Sequence, residues 1–214
     1  MINYYSATIF TLLSRPMTTI LIHGANASSQ SWNYLKTFIK NKVVLVDYAS
    51  SAGFHNNLED MKKIADNIEG PITLIGHSLG GIYAMHLSDY LGKRCKAVAS
   101  ISTPFGGSGL ADWAKLMYPW YSLFKDVGYR SKPIVESKKI ASALTVPWLQ
   151  IVTTRGNVPW IPMNNDGVVT IKSQECIDAM QKVELYTNHY EVLIHPDTVR
   201  ILQEYFEGLG LDIF

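Results

Sequence analysis

Short runs of consecutive apolar residues alternate along this chain with stretches in which apolar residues return every three or four positions. Six runs, at 18–22, 43–46, 71–75, 97–101, 147–152 and 182–186, are strand-length and mostly lack a polar face. That is the pattern of strands covered on both sides, as in a parallel sheet. Helical spacing recurs between them: Trp32, Leu35, Phe38 and Ile39; Leu58, Met61, Ile64, Ala65 and Ile68; Leu79, Ile82, Tyr83, His86 and Tyr90; Val199, Leu202, Tyr205, Phe206 and Leu209. Strand and helix in turn predict an α/β architecture with a mostly parallel sheet of about six strands and helices on both faces.

Composition agrees with a folded domain and narrows its partners. The 214 residues are 47% hydrophobic with a formal net charge of +1, which suits one α/β domain with a sizeable core and excludes a disordered chain or an electrostatic binder of nucleic acid. Residues 1–16 carry Ile2, Tyr4, Tyr5, Ile9, Phe10, Leu12 and Leu13 but no basic start and no small-residue cleavage site. They are a poor signal peptide and too short to span a bilayer, so a peripheral N-terminal extension, no transmembrane segment and a cytoplasmic location are expected. Met17, directly before the first run, offers an alternative start.

The chemistry concentrates at Gly76-His77-Ser78-Leu79-Gly80-Gly81. Here a buried strand turns straight into a helix, which forces Ser78 into strained backbone angles and leaves no room for bulk two residues to either side. Gly76 and Gly80 provide that room. The strain lifts the hydroxyl clear of the sheet, and the Leu79 N–H at the helix start is placed to hold a developing oxyanion. A second donor is expected from the loop after the first strand, His23-Gly24-Ala25-Asn26, with the Ala25 N–H as first choice and Asn26 as its substitute. The competing reading of that loop is an ordinary glycine turn before a helix capped by Ser28 or Ser29.

These residues, with Leu21-Ile22-His23-Gly24, Ser102-Thr103-Pro104-Phe105-Gly106-Gly107-Ser108 and Asp166-Gly167-Val168-Val169, resemble the motifs of the α/β-hydrolases, and of their small lipase and esterase branch in particular. The resemblance spans about Thr18 to Phe206. It implies the α/β-hydrolase fold in a minimal form, with the chain order nucleophile, acid, histidine. It also implies that the segment after the strand near residue 97 lies over the active site. That segment, 104–147, is expected to be a helical, cap-like insert rich in aromatic residues. Phe105, Trp113, Met117 and Trp120 are its candidates for substrate contact, and Arg155 and Asn157 are candidates for the mouth.

Many relatives place the acid just beyond the late strand, where this chain has Arg155-Gly156-Asn157 and no carboxylate. Asp166 is the next one, in a turn like that of the lipase-like branch; a structural Asp-Gly turn is the alternative. Asp47 precedes Ser78 and is expected to be structural. Among six histidines, His77 cannot reach round to its neighbour's reacting face, His23 belongs to the oxyanion loop, His86 falls on the helix behind Ser78, and His55 is expected in a loop. His189 follows the last strand, where catalytic groups gather in parallel sheets, and is preferred to His195, which abuts Pro196 at a helix start.

Cys95 and Cys176 are expected to be free thiols in or near the core. No metal-ligand spacing or phosphate loop occurs, so no metal and no cofactor is expected. The leading expectation is a serine hydrolase of carboxylic esters, with Ser78 as nucleophile, His189 as base, Asp166 as its orienting acid, and the Ala25 and Leu79 N–H groups as oxyanion donors. Its partner would be a small or lipid-like acyl ester. A thioesterase or acyltransferase on the same residues is the runner-up, and a ligand-binding homologue without turnover is the alternative of another class.

Overall fold

A computed structural model describes residues 16–107, 128, 130–156, 158, 161 and 163–214. Six strands form one sheet among these residues: β1 (Thr18–Ile22), β2 (Lys42–Val46), β3 (Ile72–His77), β4 (Cys95–Ile101), β5 (Trp148–Thr153) and β6 (Gln181–Leu185). Every pair is parallel, in the order β2-β1-β3-β4-β5-β6. The uninterrupted apolar runs have the cause inferred from them. All residues of β1, β3 and β5 are buried, whereas β2 and β6 at the edges are partly open.

Alternate side chains feed two cores, as the strand period requires. Ile20, Ile22, Leu74, Val98 and Trp148 face α1 (Phe54–Asp66), α2 (Leu79–Leu91) and α3 (Lys132–Ser142). Leu21, Ile75, Ala97, Ala99, Leu149 and Ile151 face Trp32, Leu35 and α5 (Pro196–Gly208). Leu202 and Phe206 of α5 are wholly buried there, and each such burial stabilises the fold by about 1.5–3 kcal/mol. Pro196 begins α5, and the His195 ring accepts the Asp197 N–H at 3.2 Å as its N-cap.

Three local expectations change. The helix expected around Trp32 is a pair of 3-10 turns, Ser29–Trp32 and Leu35–Phe38. Trp32, Leu35 and Phe38 are spaced by three, which fits the three-residue turn of a 3-10 helix as well as an α-helix, and Phe38 ends up exposed. His55 lies in α1, not in a loop. Cys95 is buried, its thiol pushed up to about 12 chiefly by burial, but Cys176 is exposed. A short helix, α4 (Ile171–Gln174), had no forewarning in the periodicity. Most of the N-terminal extension and the centre of the 104–147 insert, including Trp113, Met117 and Trp120, lie outside the described residues.

The order of the sheet fixes where a site can form. The chain runs from β1 outward to β2, then crosses back to β3 and continues the other way, so the direction reverses between β1 and β3. Ligands in such sheets sit beyond the carboxyl ends of the strands at that reversal. The loop after β1 carries Gly24 and Ala25, and the turn after β3 carries Ser78.

Candidate active site

Ser78 stands between β3 and α2 with φ 53° and ψ −121°. This left-handed setting costs about 1–3 kcal/mol for a residue with a side chain, and the packing around it must supply that. A Cβ on Gly76 would lie 2.4 Å from the Gly80 carbonyl oxygen, and one on Gly80 only 2.0 Å from that of Ile22. The turn therefore closes against the end of β1 only with glycine at both positions. The Ser78 N–H donates to the Ile101 carbonyl at 2.8 Å, tying the turn to β4 as well.

His189 follows β6 and reaches over to the serine. Its Nδ1–H donates to Asp166 Oδ2 at 2.7 Å. A carboxylate only accepts, so this bond fixes the tautomer and leaves Nε2 to accept the Ser78 hydroxyl at 3.0 Å. Asp166 is wholly buried, and His189 is nearly so. Burial alone would raise the Asp166 carboxyl, but the bond and charge of His189, the Thr153 hydroxyl and the Val169 N–H together hold it below the usual carboxylate range.

The acid arrives by an unexpected route. Beyond β5 the chain makes an excursion and folds back, so that a Cβ on Gly156 would lie 2.0 Å from the Gly167 nitrogen and 2.3 Å from the Asp166 carbonyl carbon. Gly156 thus leaves room for the turn that carries Asp166. Asn165 shapes that turn from within: its side chain accepts the Gly167 N–H at 2.9 Å and donates to the Met163 carbonyl at 2.8 Å.

The N–H groups of Leu79 and Ala25, the two expected oxyanion donors, have no acceptor among the described residues. The Leu79 group belongs to the first turn of α2, whose donors have no partner inside the helix. The Ala25 group sits in a loop braced by His23, whose Nδ1–H donates to the Gly24 carbonyl at 2.7 Å and whose ring stacks on Tyr48 with centroids 4.2 Å apart. Asn26 is not available as the substitute donor, since its N–H is given to Ser50 Oγ at 2.9 Å.

Other residues singled out in the sequence fall elsewhere. Phe105 does not line a substrate path: it is fully buried in the core, edge-on to Trp148 with ring centroids 5.9 Å apart. Asp47 accepts the N–H and the hydroxyl of Ser29, each at 2.6 Å, and has the structural place expected of it. Ser28 stands at the N-cap of the first 3-10 turn without a side-chain bond. His86 lies on α2, as expected, and its Nε2–H donates to the Pro133 carbonyl of α3 at 3.1 Å. Arg155 pairs with Glu191 and, with Gly156, Asp166, Asn188 and Tyr190, lines a hollow of about 320 Å³; Asn157 lies outside the described residues.

Three contributors had no role assigned to them from the sequence. His77 is buried, and its Nε2–H donates to the His189 carbonyl at 2.8 Å, pinning that loop from below. Burial, with His189 adding to it, pushes the His77 imidazole down to about 3, so it stays neutral. Thr153 and Gln174 both donate to Asp166 Oδ2.

Residues 19–171 match the family model described as the alpha/beta hydrolase family. This chain belongs to the alpha/beta hydrolase family. The matched span contains the Ser78 turn and Asp166, while His189 lies beyond it. Solved structures of lipase- and esterase-like alpha/beta hydrolases share the fold. A lipase-esterase related protein from Clostridium acetobutylicum superposes with a TM-score of 0.64 at 14% identity, over 90% of this chain and 95% of that one. A lipase of Bacillus licheniformis gives 0.68 at 15% identity, over 92% of each chain. A carboxyl esterase of metagenomic origin gives 0.66 at 13% identity, over 84% of this chain and 66% of that one. The sequence matches none of the curated proteins. Among the described residues of this alpha/beta hydrolase, no group of three or more His, Cys, Asp or Glu could hold a metal ion, and no helix is long and apolar enough to cross a membrane.

Proposed function

We propose that the chain is a serine hydrolase that cleaves carboxylic esters through an acyl-enzyme on Ser78. The observation that carries this reading is the unbroken hydrogen-bonded line from the Ser78 hydroxyl through His189 to Asp166. Nε2 of His189 takes the hydroxyl proton as Ser78 Oγ attacks the ester carbonyl carbon. Asp166 holds the ring in that tautomer and stabilises the imidazolium that forms. The Leu79 and Ala25 N–H groups receive the charge that develops on the carbonyl oxygen, and being fixed in advance they need no reorganisation. The imidazolium then protonates the departing alcohol, and water activated by the same nitrogen releases the acid.

The similar structures include a lipase and a carboxyl esterase, which favours oxygen esters over the thioester alternative. A ligand-binding homologue would gain weight from a misplaced acid or base, and the hydrogen bonds from Ser78 through His189 to Asp166 favour the hydrolase instead. The test is turnover of matched short-chain oxygen ester and thioester substrates by the wild type and Ser78→Ala. The expected result is preference for the oxygen ester and a loss in Ser78→Ala of roughly a millionfold in turnover. Ester turnover retained in the variant would overturn the reading.

A further inference from the structure

Asp166 receives more hydrogen bonds than the orientation of one imidazole requires. Oδ1 accepts the Val168 and Val169 N–H groups at 3.0 and 2.8 Å. Oδ2 accepts His189 Nδ1–H at 2.7 Å, the Thr153 hydroxyl at 2.5 Å and Gln174 Nε2–H at 3.3 Å. Thr153 ends β5 and Gln174 ends α4, and both are wholly buried.

The Gln174 side chain does here what a neighbouring strand would otherwise do. β4 pairs with β5 only as far as Ile101 opposite Ile151, and the Ser102 N–H closes that edge on the Ile151 carbonyl at 2.9 Å. The next groups on the same side of β5 are the N–H and carbonyl of Thr153. Gln174 Oε1 accepts the first at 2.9 Å and Nε2–H donates to the second at 3.0 Å. One Nε2 hydrogen remains, and it points to Asp166. Thr153 has a single hydroxyl proton, and the carboxylate, which can only accept, claims it. The Ser102 hydroxyl, 2.8 Å from Thr153 Oγ1, can then donate in turn.

We propose that Thr153 and Gln174 are positioning residues for the reaction, holding Asp166 against His189 and setting how readily His189 accepts the Ser78 proton. The proposal rests on the serine-hydrolase reading above. Each donor to Oδ2 draws charge away from the atom that binds the imidazole Nδ1–H. With a donor removed, the carboxylate binds that proton more tightly and favours the imidazolium that forms when Ser78 gives up its proton. The ionisable groups facing Asp166 are His189 from the loop after β6, His77 from the end of β3 and Arg155 from the loop after β5. Burial holds His77 neutral, so the acid limb of activity reports the Asp166–His189 pair.

The experiment measures kcat, KM and the pH dependence of kcat/KM with a small ester, alongside thermal unfolding, for the wild type, Thr153→Val, Thr153→Ser, Gln174→Met and Ser78→Ala. In Thr153→Val we expect kcat to fall about ten- to hundredfold with KM little changed, and the acid limb to move up by about one pH unit. Thr153→Ser restores both, and Gln174→Met moves the limb in the same direction by less. If Thr153→Val does not fold, Gln174→Met gives the same readout. An unmoved acid limb in the folded variants, with any loss of rate explained by the folded fraction, overturns the positioning role while Ser78→Ala remains inactive. Wild-type turnover in Ser78→Ala overturns the underlying reading instead.

Discussion

The turn that carries Ser78 and the turn that carries Asp166 solve one steric problem in two settings. Both close by bringing a glycine so near to another backbone that a Cβ would lie 2.0 Å away, at Gly80 against the Ile22 carbonyl and at Gly156 against the Gly167 nitrogen. Gly80 is buried at the junction of β1, β3 and α2, whereas Gly156 is exposed and faces a turn whose Gly167 and Val168 are half-exposed. The first contact therefore has nowhere to yield, while the second can yield outward. The serine's setting is thus tied to the stability of the whole fold, but the acid's setting is held by its own bonds and can be disturbed without unfolding the sheet.

Gly80→Ala should separate the two most strongly. Relieving its overlap means parting α2 from β1, at a cost of about 3 kcal/mol or more. Chemical denaturation reads this directly, and a wild-type midpoint would break the comparison. Gly156→Ala should cost less than Gly80→Ala because its turn borders solvent at Gly167 and Val168, but Asp166 moves with that turn, and ester turnover should fall about a hundredfold. A variant that loses stability and keeps its turnover would reverse the roles assigned to the two turns.

The same contrast explains what could be read from the sequence. The residues that let the serine turn form, Gly76 and Gly80 around Ser78, sit within five positions between an apolar strand and a largely buried helix, so they are local and visible. Of the acid turn, only Asp166-Gly167 announces itself. Gly156, Thr153 and Gln174 hold it through contacts that no spacing records, and α4, which delivers Gln174, spans four residues, too few for a period to show. The same limit misplaced Phe105. Its position after β4 in a lipase-like motif suggested a substrate wall, but direction into the core depends on the turn that precedes it, where Ser102 has φ 53°.

The smallest effect near neutral pH is the one that distinguishes the two turns by titration. His77, beside Ser78, is pushed down from 6.5 to about 3, so the unfolded chain binds its proton first as pH falls. Its contribution to stability is complete above pH 6.5 and drains away toward pH 3, at no more than about 1.4 kcal/mol per pH unit. Asp166, whose carboxyl is held below 3.8, contributes stability that is present above that value and lost as pH falls through its lower folded value. Unfolding midpoints should therefore begin to fall well above the carboxylate range. A midpoint that stays flat from pH 7 to 4 would contradict the burial of a neutral His77.

Labelling with a fluorophosphonate, read by mass spectrometry on the wild type, His189→Ala and His195→Ala, tests the central claim most directly. The account predicts one adduct per chain on Ser78, lost in His189→Ala and kept in His195→Ala, because only His189 lies within 3.0 Å of the serine hydroxyl while His195 caps α5. No adduct on folded wild-type protein, or an adduct that survives His189→Ala and disappears in His195→Ala, would contradict it.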